Sequence, residues 1–502
     1  MTRRSFTELF AFGQMRTPTF ELNELTIADM QKAQQSGRFT ARRLTQLYLE
    51  RIAAIDQRGP ALRSVIEINP DALSIADSLD KERKSGRVRG PLHGIPILVK
   101  DNIDTGDRMR TSAGSLALAE SIAAKDAPAV ARLRNAGAVL LGKTNLSEWA
   151  NLRSPHSTSG WSARGGLTRN PYALNRNPSG SSSGSGAATA ANLCAASLGT
   201  ETDGSIVSPS SLCGLVGLKP TVGLIPQTGI IPISRTQDTA GPMTRTVMDA
   251  ALLLEAMADP TRRQPYPQGL SPDALRGVKL GVVRKAAGFQ VGTEQLLDTA
   301  INACRQLGAQ VIDPVEIPHY GGYSDAEWEV LLYEFKDGLN AYLAGLGPRT
   351  PIKTLADIIA FNDRNRAREM PHFGQETFLQ AQAKGPLTTR QYRDAFAKCQ
   401  RLSRFEGLDV VFGKVDFLLA PTDSPAWVTD LINGDHFTNS FSTPAAVAGY
   451  PHITVPMGQV QGLPVGLSFV GRAYSEAALL KAAYAYEQAT KLRRPPQFPD
   501  AI

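Results

Sequence analysis

An α/β fold built on a mixed central sheet is what this 502-residue chain predicts. Three observations carry that expectation. Apolar, strand-like runs alternate with helix-patterned stretches. Near the end, two apolar runs follow one another across a Gly- and Pro-containing segment, as in a hairpin. No stretch of linker composition divides the chain. In order, Thr26 with Asp29, and Thr40 followed by Leu44, Leu47, Tyr48, Ile52 and Ile55, predict two amphipathic helices before the first buried strand. That strand is the apolar run from Gly94 that ends in Lys100. A helix around Ala127 to Asn135 leads into a strand at Ala138 to Leu141, and Val278 to Val283, Thr293 to Leu307 and Gln310 to Ile312 repeat strand, helix, strand. His452 to Pro456 and Val465 to Val470, joined by Gly458 to Pro464, are the hairpin, which makes the sheet mixed.

Composition is that of a soluble globular protein with ample core: 42% hydrophobic and 20% charged residues. The 54 basic and 47 acidic residues give +7, a mild excess scattered along the chain apart from short clusters at Lys81 to Arg89 and Lys491 to Arg494. No basic stripe marks a nucleic-acid surface, and no partner of that kind is expected. Cys194, Cys213, Cys304 and Cys399 are widely spaced and contain no Cys-x-x-Cys pair, so core cysteines are expected rather than a disulfide framework or a zinc site. The six histidines show no metal-binding spacing, and neither a metal nor another cofactor is expected. No stretch is long and apolar enough to span a bilayer. Thr2-Arg3-Arg4-Ser5-Phe6 resembles the start of a twin-arginine export signal, but no apolar core or small-residue cleavage site follows; a cytoplasmic protein is expected, with export the alternative.

The chemistry is concentrated in three segments. Gly180-Ser-Ser-Ser-Gly-Ser185 is followed by Gly199-Thr-Glu-Thr-Asp-Gly-Ser205, two serine clusters in turn-forming backbone. Upstream, Lys100 closes a buried strand. Burial disfavours the ammonium, so the amine becomes a proton acceptor near neutral pH and can serve a serine as general base. The serine run alone also reads as a flexible linker, yet Ala187 to Leu193 directly after it is helix-prone. A loop feeding a helix N-terminus presents N–H donors suited to an anion or a developing oxyanion. A fourth segment, Gly137-Ala-Val-Leu-Leu-Gly-Lys143-Thr144, matches the Gly-x-x-x-x-Gly-Lys-Thr pattern of a phosphate-binding loop. Its four middle residues are themselves the strand, so the pattern is a coincidence of spacing and Lys143 reads as a structural or site-rim lysine.

The order Lys100, Ser181 cluster, Ser205 resembles the amidase signature family of serine hydrolases. The likeness runs unbroken from Asn177 to Val222, through Cys213-Gly-Leu-Val-Gly-Leu-Lys-Pro-Thr221, and reaches both ends of the chain. Within the family, segments Gly160 to Gly166, Gly199 to Val207, Gly229 to Met243, Leu331 to Leu339 and Ser440 to Pro451 look most like the bacterial peptide amidase branch. The resemblance implies one amidase-signature domain, a central mixed sheet surrounded by helices. Residues 1–22 would be an N-terminal extension, and 23–502 the domain: a helical cap at roughly 23–80, a catalytic core at roughly 90–260, and a remainder completing the sheet and substrate pocket.

The resemblance also implies roles: Lys100 as base, Ser181 as bridging serine on a cis peptide after Gly180, and Ser205 as nucleophile, with Ser182 the neighbouring candidate for the bridge. Backbone N–H groups of Thr202, Asp203, Gly204 and Ser205 would form the oxyanion hole. The chain departs from the family pattern at Asp203, where glycine is usual, and at Val207, where arginine is usual. A carboxylate beside a developing oxyanion is unfavourable. Two readings stay open for Asp203: it points outward and braces the loop through local backbone hydrogen bonds, or it accepts from the NH2 of a primary amide.

For substrate, the peptide amidase resemblance implies removal of the C-terminal amide of peptides, giving free acid and ammonia. A broad acylamidase or aryl amidase acting on small amides is the alternative, and the amidase subunit of a glutamine-dependent tRNA amidotransferase is a more distant one. Trp149, Trp161, Tyr333 and Phe335 are candidate pocket residues, although aromatic side chains at such spacings are more often core. A monomer is expected, a homodimer being the alternative.

Overall fold

The computed structural model describes residues 20–347 and 350–502. The Arg3-Arg4 pair lies outside the described residues. The strands are β1 Val65–Ile68, β2 Pro96–Lys100, β3 Val139–Thr144, β4 Trp161–Ser162, β5 Gly166–Leu167, β6 Ala196–Glu201, β7 Val216–Lys219, β8 Thr239–Thr244, β9 Lys279–Val282, β10 Gln310–Ile312, β11 Phe417–Pro421, β12 His452–Val460 and β13 Leu463–Val470. Apart from the β4–β5 ribbon they form one mixed 11-stranded sheet, ordered β1-β3-β2-β6-β8-β7-β12-β13-β11-β9-β10. Helices surround it, as the pattern of alternating elements requires.

The parallel trio at β3–β2–β6 positions the site. In register, Lys100 pairs with Thr144 of β3, and Val99 lies opposite Leu198 of β6. All three strands therefore deliver their C-terminal residues to one edge of the sheet, where open α/β sheets form their crevices. Every residue of β2, β3 and β6 is buried, because both faces are covered by helices. Gly137 to Thr144 thus lies on the approach to β3 and in β3 itself, and cannot wrap a phosphate.

The Ser-rich run is not a linker. A helix, Ser183–Ala190, begins inside it and is buried along its whole length. Only small side chains allow this: a Cβ at Gly184 would sit 2.3 Å from Ser64 O and 2.5 Å from Asn145 O. The predicted first helices are Ile27–Gln35 and Ala41–Arg51, the first closed by a Thr26/Asp29 capping box. The terminal hairpin is tighter than the sequence pattern implied. Its strands continue through Gly458 to Val460, and the turn is only Gln461-Gly462, with φ of 51° and 79°, the two-residue geometry that matches strand twist. At the N-terminal boundary, Leu22 is already part of the main core and Phe20 packs on Tyr48. The four cysteines are buried and free, and no helix among the described residues is long and apolar enough to cross a membrane.

Candidate active site

Lys100 Nζ lies 2.8 Å from Ser181 Oγ, 2.9 Å from Thr200 Oγ1 and 3.2 Å from Thr200 O. This partner set fits a neutral amine: two N–H groups directed at Thr200 and a lone pair facing a hydroxyl that can donate. Lys100 is fully buried. Burial pushes its amine down to about 7, against the opposing pull of the Asp238 and Glu201 charges. The backbone around it is clamped: Asp101 N–H donates to Thr144 O, and Ser112 and Ala113 N–H both donate to Asp101 O. Asn102 Nδ2 donates to Thr200 Oγ1 at 3.0 Å, so Thr200 is the hub on which Lys100 and Asn102 converge.

The Gly180–Ser181 peptide is cis. Ser181 and Ser182 are fully buried, whereas Ser205 is 9% exposed and so lies at the edge of solvent. The two serine segments are stitched together through Ser182. Its N–H donates to Ser205 O at 3.2 Å, its hydroxyl donates to Thr200 O at 3.1 Å and accepts from Thr200 N–H at 3.2 Å. Ser182 Oγ is thereby engaged with backbone, and Ser181 is the serine that faces Lys100. The side-chain contacts stop at Ser181: among the described residues no hydrogen bond reaches Ser205 Oγ.

The turn carrying Ser205 is held from below and left open in front. Glu201 caps the following helix, Val207–Leu212, accepting from Ile206 N–H at 2.7 Å and Val207 N–H at 3.0 Å. Gly204 has φ +80°, a left-handed conformation glycine adopts without strain. Among the described residues, none of the N–H groups of Thr202, Asp203, Gly204 and Ser205 has a hydrogen-bond acceptor. Four consecutive free donors beside a hydroxyl can receive an oxyanion. Thr202 Oγ1 donates to Asp238 Oδ1 at 2.6 Å.

Asp203 does not brace the turn through local backbone. Its Oδ2 accepts from Thr443 Oγ1 at 2.7 Å, a residue far along the chain, instead of from local backbone. Its Oδ1 is shut off from solvent, although the residue as a whole is part-exposed. The carboxyl of Glu327 contacts it.

Two adjoining cavities, each of only about 10 Å³, lie at the site, and one of them is lined by Ser181. Ser181, Thr200 and Thr202 form the polar wall of one; Trp149, Phe335 and Pro232 line the other, and Ala150, Ile231 and Ile233 border both. Trp149 and Phe335 are therefore pocket residues. Trp161 is not: it packs edge-on against His372 and Phe373. Tyr333 packs on Tyr392 in a separate cluster. The wall at Ala150 is unusual backbone, since Trp149, Ala150 and Asn151 all have φ between 50° and 71°. Nothing in the sequence signals that strain, which costs of order 1 kcal/mol or more per residue. Thr200 and Asn102 lie inside recognisable motifs and are open to discovery from sequence; Gln237 and Asp238 fall within the family-like segment Gly229 to Met243, but their relation to the turn, like that of Glu327, is carried by no local pattern. Lys143 is structural, its Nζ donating to Ile103 O at 2.7 Å and Thr111 Oγ1 at 3.0 Å.

Comparison with known proteins agrees with this geometry. The family model "Amidase" matches residues 43–480. A probable amidase of Arabidopsis thaliana is 43% identical, over 96% of this chain and 93% of its own. A putative amidase of Schizosaccharomyces pombe is 35% identical over 98% of this chain and 89% of its own. Among solved structures, the native peptide amidase of Stenotrophomonas maltophilia superposes with a TM-score of 0.91 at 50% identity, covering 95% of this chain and 99% of that one. The protein therefore belongs to the amidase signature family, and it is an amide C–N hydrolase.

Proposed function

We propose that the protein removes the C-terminal amide of peptides, releasing free acid and ammonia, by a Ser205–Ser181–Lys100 relay. The observation that carries the chemistry is the buried Lys100–Ser181 contact beside a turn of four free N–H donors. The peptide substrate is supported by the 50% identity, over nearly the full length of both chains, to a peptide amidase.

Neutral Lys100 accepts the Ser181 proton while Ser181 takes that of Ser205, whose Oγ attacks the amide carbon. The carbonyl oxygen, becoming an oxyanion, is met by the N–H groups of Thr202 to Ser205; each such donor is worth about 3 kcal/mol. Collapse of the tetrahedral intermediate needs a protonated leaving nitrogen, and Ser181 returns the proton to it, so ammonia departs and an acyl-enzyme remains. Water attacks the ester through the same relay in reverse. Ser205 Oγ, unengaged here, joins the relay when substrate fills the cavity, since catalytic hydrogen bonds commonly tighten only in the complex.

The apolar wall of Trp149, Phe335, Ile231 and Ile233 favours a second reading, an acylamidase acting on small apolar or aryl amides. One assay separates them. A C-terminally amidated peptide and a small anilide are incubated with wild type and with Ser205→Ala, and ammonia and aniline are measured. Ammonia from the peptide, abolished in Ser205→Ala, is expected; aniline alone would replace the first reading with the second.

A further inference from the structure

Asp203 stands in the middle of the proposed oxyanion turn, and its side chain faces a second carboxyl. Asp203 Oδ2 accepts from Thr443, the Ser442 hydroxyl also bonds the carboxyl, and Oδ1 is sealed from solvent without a hydrogen-bond partner of its own. The second carboxyl is that of Glu327, on the helix Ser324–Gly345, 7% exposed and in contact with Asp203. Two carboxyls in contact, one of them the buried Glu327, resist being ionised together. Glu327 Oε1 accepts from Gln237 Nε2 at 3.0 Å, and the same amide reaches Thr202 O at 3.4 Å. A single bracket, Gln237–Glu327–Asp203–Thr443, thus grips the turn at Thr202 and at Asp203. The bracket is complete only if the proton between the two carboxyls is present.

Resting on the site reading above, we propose that Glu327 is a positioning residue acting in its protonated form: its O–H donates to Asp203 Oδ1 and holds the Thr202–Ser205 turn with its N–H groups aimed at the oxyanion, so that ionisation of Glu327 releases the turn. Asp203 and Glu327 titrate in the field of other groups. Lys219 and Glu201 face Asp203 from the strands beneath, Tyr320 and Tyr323 from the segment before the helix, and Cys399 faces Glu327. Burial first and the Asp203 charge second push Glu327 up to about 8. The sign follows: between the ordinary carboxylic range and about 8 the folded state holds a proton the unfolded state has lost, so stability falls as pH rises across that window, and the bracket opens above it.

The test is the pH profile of kcat/KM on an amidated peptide, for wild type, Glu327→Gln and Ser205→Ala, with 13C NMR of carboxyl-labelled glutamate. Wild type is expected to lose activity above pH 8, approaching about tenfold per pH unit. Glu327→Gln, whose amide donates at every pH, is expected to lack that fall. Of the glutamic carboxyls protonated at pH 7, one is expected to be missing from the variant's spectrum. An alkaline fall unchanged in Glu327→Gln overturns the proposal and assigns the limb to another group, such as Lys219, itself pushed down to about 8 by burial. So does a wild-type spectrum in which every glutamate is ionised at pH 7, whether or not the variant folds. Activity surviving in Ser205→Ala overturns the site reading instead, which keeps the two failures apart.

Discussion

Two buried lysines sit on neighbouring strands one register step apart, and only one of them has the surroundings of a base. Lys100 ends β2, and Lys143 pairs with Val99 beside it in β3. Both are fully buried, and burial lowers both. The difference lies in what faces them. Lys143 Nζ is met by Ile103 O and Thr111 Oγ1 amid the charges of Asp101, Asp104, Asp107 and Glu67, which favour its ammonium form. Lys100 Nζ is met by Thr200 and by a serine hydroxyl that can donate to it, with two carboxylate charges, Asp238 and Glu201, acting on it where Lys143 has four. Burial makes a lysine expensive to charge; the partners decide whether that becomes reactivity or a structural brace.

The sharpest way to break this contrast is to remove each amine in turn. Lys100→Met is expected to lower kcat by roughly 10²–10⁴, the range of a positioned proton acceptor, with the fold retained. Lys143→Met strands Ile103 O and Thr111 Oγ1 in the core, so a loss of about 1–3 kcal/mol in stability is expected, with much the smaller effect on kcat. Steady-state kinetics and urea midpoints of both variants decide it; equal kcat losses would end the distinction.

Next comes the acid limb. Catalysis needs Lys100 neutral, so kcat/KM is expected to rise with pH through about 7 in wild type. The linked stability has a definite sign. From about 7 up to the ordinary lysine range, the unfolded state binds a proton that the folded state lacks, so Lys100's contribution makes stability rise with pH in that window. In Lys100→Met that contribution should vanish from chemical denaturation measured across the same window, while Lys143→Met keeps it.

Smaller effects come from the hydroxyls. Thr200→Val removes the Oγ1 acceptor of both Lys100 and Asn102 and is expected to lower kcat about tenfold, one weakened polar contact at roughly 1.4 kcal/mol per decade. The smallest change is expected for Thr111→Val, which takes one hydroxyl from Lys143: about 1 kcal/mol of stability and kcat within about twofold. If Thr111→Val lowers kcat as far as Thr200→Val, the brace is part of the site.

Much of this is legible in the linear chain. An apolar run closed by lysine, two serine clusters and a following Ala-rich segment predict a buried strand end, two turns and a helix, because hydrophobic periodicity and turn chemistry are local properties. The departures have local causes too. The helix starts inside the serine run, at Ser183, because glycine and serine are small enough to lie against Asn145 and Ser64, a packing demand that outweighs their modest helix propensity. The hairpin turn shrinks to Gln461-Gly462 because the register of β12 on β13 continues past the expected strand ends.

Asp203 marks the boundary. Its sequence neighbours suggest local backbone bonding or a substrate contact, and the fold sets it between Thr443 and Glu327, from two distant parts of the chain. The strands, the lysine at the end of one and the two hydroxyl-bearing turns belong to the linear sequence, since spacing and residue type specify them over a few neighbours. Which serine faces Lys100, how a carboxylate is accommodated beside an oxyanion turn, and which of two buried lysines has hydroxyl partners were decided by tertiary packing alone. Those outcomes depend on short-range contacts between groups far apart in the chain, and no local pattern encodes them.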